Sequence, residues 1–244
     1  MKEQKLSIFD LCLKITSTFE GADFSTITGN FDGMGMSVGI LQFNIGTGSL
    51  QGYILNHINP MAYNFPLPIM PLIKLPKDQG LVWFKDNCLD VAGKIKPEWR
   101  KAWKEFLVRP EVIQLQKKAC DRYFQRAKEI AGALGFSHQN ARAMAWAYDV
   151  AVQSWSLGIS PPDPNREQAL NILSLYGPEN FMLWQGNDLS NDQLKLIIAS
   201  HLRALKCRPQ FRNDFFIRKC TIAVGTGIVH KTRHDFKKLF TEYL

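Results

Sequence analysis

Two carboxylates stand near the beginning of the chain: Glu20 follows Phe19, and Asp32 precedes a run of glycines. Acid-assisted cleavage of a glycosidic bond needs such a pair, one carboxyl kept protonated and the other kept ionised. Glu20 falls at the expected end of an apolar helix, where partial burial and the negative end of the helix dipole favour the neutral form. Asp32 is followed by Gly33, Gly35, Gly39, Gly46 and Gly48, with hydroxyl and amide side chains between them. Water and backbone N–H groups in such a loop keep a carboxylate charged, and the glycines let backbone turn tightly against a ligand. Spacing alone leaves a plainer reading open, in which Glu20 is an exposed helix-end residue and Asp32 a turn former.

The elements that must position this pair follow from periodicity. Leu6, Phe9, Cys12, Leu13, Thr16 and Phe19 recur at helical spacing, predicting a helix over 3–19 that ends at Glu20 and Gly21. Residues 24–43 carry the β-branched residues and glycines of short strands, so a small hairpin or three-stranded sheet is expected there. A short helix should open at Thr47 or Ser49. Five prolines make residues 59–78 an ordered loop. Helices are predicted over 99–107, 110–134 and 137–155, the last with an Ala-rich middle suited to a central position. Asp163-Pro164 should open another helix, running through Leu173. Ser190 with Gln193 forms a capping box for one carrying Leu194, Ile197, Ile198, Leu202 and Leu205. Short helices near 211–220 and 234–243 flank a glycine-bearing turn at 222–230. The chain therefore reads as α+β, mainly α.

Other chemistry-bearing residues weigh less. Gly35-Met36-Ser37-Val38-Gly39 has the form of a nucleophile elbow, but glycine-rich flanks deny it the required strand and helix. His230 and His234 are four apart and could share a helix face, yet no third ligand accompanies them, so no metal site is expected. Gly225-x-Gly227 lacks the context of a dinucleotide fingerprint, and no cofactor is expected. Asp149 lies inside an apolar helix, MAWAYDVAVQSW, and a buried carboxylate requires a charged or hydrogen-bonding partner.

Hydrophobic residues make up 45% of the 244 and charged residues 21%, which is the balance of a globular protein with ample core. The formal net charge of +8 favours an anionic partner, but the basic residues are scattered, so nucleic acid is not the expected one. Five isolated cysteines, an odd number, fit synthesis in a reducing compartment. The N-terminus lacks signal-peptide organisation and no apolar run approaches the ~20 residues of a spanning helix, so no stable membrane insertion is expected.

The string Asp32-Gly33-x-Gly35-x-Ser37-x-Gly39-Ile40-Leu41-x-Phe43 resembles the motif of the chitosanase branch of the lysozyme superfamily, where it follows a helix-end Glu. The longer run from Gly29 through Gln42 to Gly46-x-Gly48-x-Leu50-Gln51 is closer to lysozyme-like peptidoglycan hydrolase domains of phages and antibacterial secreted effectors. Asp149-Val150-Ala151-Val152-Gln153 and Ile222-x-x-Gly225-x-Gly227-x-Val229-His230 resemble the same group.

The resemblance implies a single two-lobed lysozyme-like domain over 1–244. One lobe, about 1–60, would carry the β element and carboxylates beside the cleft, and about 80–244 would form a helical lobe. It implies an inverting muramidase-type hydrolase with Glu20 as general acid and Asp32 as general base, lying roughly 6.5–9.5 Å apart. Ser37 would hold the attacking water, and Gln42 and Asn44 are candidates for hydrogen bonds to the sugar. Asp149 would belong to an Asp–Arg network with Arg212 or Arg218. The implied substrate is peptidoglycan, reached at the bacterial cell wall after delivery from the cytoplasm, with an immunity or delivery protein as partner. A chitosanase-type glycosidase and a non-catalytic glycan- or protein-binding module are the alternatives. Met34 where chitosanases carry Arg, and the mismatch of +8 with a polycation, separate this chain from the former.

Overall fold

A computed structural model of the chain describes residues 6–20, 23–30, 33–58, 68–176 and 178–241. Packing divides it into two units, Met1–Phe19 with Arg122–Leu244, and Glu20–Asp121. These boundaries differ from the lobes expected from sequence. The first helix, α1 (Ile8–Glu20), groups as far as Phe19 with the later helices. Its aromatic residues explain this: Phe9 packs edge-on against Phe124 and Tyr148, and Phe19 against His234 and Phe236.

In unit 20–121 the predicted β element forms an antiparallel sheet of three two-residue strands, β1 (Ile27–Thr28), β2 (Ser37–Val38) and β3 (Phe43–Asn44), with β2 central. Register places Ile27, Val38 and Phe43 in one row and Thr28, Ser37 and Asn44 in the other. The first row is buried apolar surface and the second is polar. Helix α2 (Ser49–Tyr53) follows, then a 3-10 turn, Leu55–His57.

The proline-rich segment is not wholly a loop. Residues 59–67 lie outside those described, but Met70–Lys74 forms helix α3 with Pro71 in its first turn, where its missing N–H has no intrahelical role. Helix α4 (Lys77–Cys88) follows and has no counterpart in the sequence reading, because Gly80 and an even spread of charge weaken its amphipathic signal. Gly80, Phe84 and Cys88, spaced by four and buried, were the stripe that could have revealed it. Helix α5 (Pro97–Leu107) matches its expected range closely and buries Trp99, Trp103 and Phe106.

Helix α6 (Pro110–Ala133) contains the boundary between the units. In the other unit, α7 (Ala141–Ser154) is buried on every side from Ala143 to Ala151, as its Ala-rich middle implied. Asn140 caps it by accepting from the Ala143 N–H. Helix α8 (Arg166–Ser174) starts later than Asp163-Pro164 suggested, because Asn165 supplies the cap through the Gln168 N–H. A short helix, α9 (Pro178–Trp184), was not foreseen. Helix α10 (Asn191–Leu205) opens on the predicted Ser190/Gln193 capping box.

Helix α11 (Pro209–Val224) runs well past its expected end and stops at Gly225, whose φ of 94° is a left-handed cap suited to glycine. The expected turn and the first part of the last helix are instead a hairpin, β4 (Thr226–Val229) and β5 (Thr232–Asp235), ahead of α12 (Lys237–Thr241). His230 and Lys231 both have positive φ, the backbone demanded by a two-residue hairpin turn. Among the described residues no helix is long and apolar enough to cross a membrane.

The tightest local constraint is at Gly39, in the β2–β3 turn. Its φ is 73°, and a Cβ there would lie 2.0 Å from Oε1 of Gln116 on α6. Gly39→Ala should therefore displace Gln116 as well as strain the backbone, costing about 3–5 kcal/mol of stability. Urea unfolding measures this; a loss under about 1 kcal/mol would show that the turn and α6 are not locked together.

Candidate active site

Glu20 is the last residue of α1, as expected, but it is exposed, so the partial burial inferred from its apolar neighbours is corrected. The apolar stripe of α1 buries Phe19, and the next residue turns to solvent. Asp32 lies outside the described residues. Of the described residues on either side, Asn30 Oδ1 accepts from the Gly35 N–H at 2.8 Å, and the Gly33 N–H donates to the Asn30 carbonyl at 3.4 Å.

Ser37 is buried on β2, between Thr28 and Asn44 in the polar row. A serine in a central strand is not a nucleophile elbow, which needs a strand-to-helix turn. Gln42, in the turn that follows with φ of 53°, reaches back across the same row. Its Oε1 accepts from the Thr28 hydroxyl at 2.5 Å and its Nε2 donates to the Gly39 carbonyl at 2.9 Å. Asn44 Oδ1 accepts from the Thr47 N–H at 2.8 Å and from the Thr47 hydroxyl at 2.9 Å. The amide groups singled out from sequence are therefore engaged in shaping the loop. Ser37, Gln42 and Asn44 are brought together, with Thr28 as a fourth member that the sequence reading missed.

The β element is fastened to helices of its own unit by two further side chains that went unread. Gln116, fully buried, accepts from the Ile40 N–H at 3.1 Å and donates to the Phe24 carbonyl at 3.0 Å. Arg100 on α5 donates to the Ile27 carbonyl at 3.1 Å. The signal for Gln116 was its place in a stripe, Val112, Gln116 and Cys120, where a lone amide among buried residues must find backbone partners.

In the other unit, Asp149 is fully buried on α7 and pairs with Arg218 of α11 through Nε and Nη2, the latter at 2.6 Å. Arg212 is elsewhere, donating to the Cys207 carbonyl. Lys219, equally buried, donates to the Asp149 carboxylate and to Gln153 Oε1, and it was not foreseen. Burial is the largest influence on Asp149 and pushes its carboxyl up, but the Arg218 and Lys219 charges and hydrogen bonds together outweigh it and hold it at about 2. Burial dominates at Lys219 and lowers its ammonium to about 8, opposed by Asp149. Arg218 also lies 4.9 Å from the Phe19 ring centroid, a cation–π contact worth about 1–2 kcal/mol in a desolvated setting. The ion cluster thereby grips the residue that precedes Glu20.

His230 and His234 share no helix face. His230, in the hairpin turn, meets Asp214 Oδ1 at 2.6 Å, while His234 is buried on β5 with its ring 4.9 Å from Phe19. Among the described residues, no group of three or more His, Cys, Asp or Glu side chains is placed to hold a metal ion.

No protein-family model matches the chain, and no curated protein matches it. Among solved structures, a mutant chitosanase from Bacillus subtilis MY002 complexed with 6 GlcN aligns over 87% of this chain and 85% of its own. The TM-score is 0.49 and the identity 16%. A likeness that distant transfers no activity, and the functional reading rests on this chain's own residues.

Removing Asp149 strands two buried cations. Asp149→Ala should cost about 3–5 kcal/mol in urea unfolding. Because the folded carboxyl titrates at about 2, below its ordinary 3.8, the pair's contribution is present above about pH 4. It is lost as pH falls toward 2. Asp149→Asn should flatten the stability profile across that window, and an unchanged acid limb would remove the assignment.

Proposed function

We propose that the chain is a lysozyme-superfamily glycoside hydrolase that cuts the glycan strand of peptidoglycan with inversion. The observation that carries this reading is the run from Asp32 to Gln51 following a helix that ends at Glu20, together with the polar row that the run builds on its sheet. Glu20 protonates the departing glycosidic oxygen. Asp32 takes a proton from water, which attacks the anomeric carbon from the opposite face. One carboxyl ends deprotonated and the other protonated, and exchange with solvent resets both.

Exposure suits an acid that must meet solvent-borne polymer and be reprotonated each cycle. Ser37 stands where the family motif carries Thr, and it orients the water. Gln42 and Asn44 act by holding the loop through Thr28, Gly39 and Thr47, and by presenting the remaining edges of their amides to sugar hydroxyls or acetamido groups. The net charge of +8 supports an anionic cell-wall glycan over cationic chitosan, since like charges slow encounter and weaken binding. In this reading the chain acts at the bacterial cell wall.

Glu20→Gln and Asp32→Asn should each lower hydrolysis of purified peptidoglycan at least about 10³-fold with melting temperature unchanged, and Ser37→Ala about 10–100-fold. Full activity in either carboxamide variant sinks the acid/base assignment. Mass spectrometry of the released fragments identifies the reducing-end sugar and hence the bond. NMR of the first-formed anomer tests inversion. A chain that binds cell walls yet releases nothing would be a binding module instead.

A further inference from the structure

Trp155 ends α7 in a conformation that tryptophan seldom adopts. Its φ is 60° and its ψ is −26°, and its N–H donates to the Ala151 carbonyl as a helix C-cap. Glycine is the usual occupant of such a position, because a Cβ there crowds the backbone. The residue is also 49% exposed, whereas Trp99, Trp103, Trp146 and Trp184 are buried and Trp83 is half-buried. A large apolar ring held at a strained position and turned toward water serves neither the core nor the helix end.

Its surroundings hold it in place. Arg126 Nε donates to the Trp155 carbonyl at 2.7 Å, fixing the peptide plane. The Tyr123 ring meets the indole edge-on, with centroids 5.7 Å apart at 76°. The Arg122 guanidinium lies 4.5 Å from the Tyr123 centroid and 5.8 Å from that of Trp155. Arg122, Tyr123, Trp155 and Ala151–Ser154 line an open cleft of about 530 Å³, within the size range of small-ligand sites. Gln153, in its wall, is tied through Lys219 to the buried Asp149 cluster, so that wall is rigid.

We infer that this cleft is a saccharide-binding platform in which the Trp155 indole stacks on the face of a β-linked N-acetylhexosamine unit. Such a sugar ring is flat, presents C–H bonds on its face and carries hydroxyl and amide groups at its rim. The cleft offers the complement: an aromatic face for the C–H bonds, and guanidinium, hydroxyl and amide groups around it. Nucleic acid fits less well. Of the described residues that line the cleft Arg122 is the one cation, too little positive charge for a phosphate backbone.

The choice of sugar rests on the glycosidase reading, whereas the platform rests on Trp155 and its neighbours. The test titrates the full chain, carrying Glu20→Gln to prevent turnover, with the tetramer of β-1,4-linked N-acetylglucosamine, reading affinity by calorimetry and tryptophan emission in parallel. The emission should shift to shorter wavelength on binding. Trp155→Gly should weaken binding at least tenfold and abolish the shift, with a melting temperature equal to or above that of the parent because the backbone strain is relieved. Trp155→Asn, which also suits left-handed backbone, should behave alike, and Trp155→Phe should stay within a few-fold of the parent.

Binding within twofold of the parent in Trp155→Gly overturns the inference, as does an unmoved emission at millimolar tetramer. Tighter Trp155-dependent binding of a single-stranded oligonucleotide at physiological salt overturns it too. A chain with native Glu20 that binds the tetramer through Trp155 but cleaves no glycan keeps the platform and loses the hydrolase. Cleavage with a silent Trp155 does the reverse.

Discussion

One buried carboxylate governs the helical unit. Asp149 is fully removed from water on α7, and an isolated charge there would be untenable. Arg218 and Lys219, adjacent on α11, supply two cations to its single charge, and Gln153 takes a further ammonium hydrogen bond. The cluster thus carries excess positive charge in a dry interior, and Lys219 bears that cost as an ammonium drawn down to about 8. Much of what surrounds it follows. Helices α7 and α11 must keep their register, and Arg218 must lie over Phe19, at the end of α1.

This arrangement links a core feature to the candidate chemistry. Phe19 is clamped by Arg218, His234 and Phe236, and Glu20 is the next residue. A helix terminus ordinarily frays. Here its penultimate residue is held by a cation and two rings. In its own unit the β element is held by a different device. Gln116 and Arg100 bond to backbone at Phe24, Ile27 and Ile40, and Asn30 takes the Gly35 N–H. Amide and guanidinium groups take over, for strands of two residues, the role that longer ladders fill elsewhere, since such strands have few backbone bonds of their own.

The glycine-rich run shows how chemistry and architecture share residues. Read as types, Gln42 and Asn44 suggest sugar contacts; in the fold their carbonyl oxygens accept from Thr28 and Thr47 and so set the loop's shape. The strain at Gln42 and the packing at Gly39 belong to the same turn. A loop so densely bonded is pre-organised.

By itself the sequence determined what short-range physics controls. Apolar spacing announced α1, α6, α7 and α10. The pair Ser190 and Gln193 announced a cap, and the β-branched, glycine-rich stretch announced a small sheet at the right place. Glu20, Asp32 and Ser37 were picked out as candidates by residue type and order alone. Tertiary structure decided what depends on distant partners. Lys219 joins Asp149 across seventy residues of chain, and Gln116 reaches Ile40 across seventy-six, separations at which no local pattern operates. The hairpin at Thr226–Asp235 replaced an expected turn and the start of an expected helix because Gly225 ended α11 and Asn180 pinned Ile228 by both backbone groups. Exposure was likewise a tertiary outcome: apolar neighbours predicted burial for Glu20, and the packed face of α1 ended one residue before it.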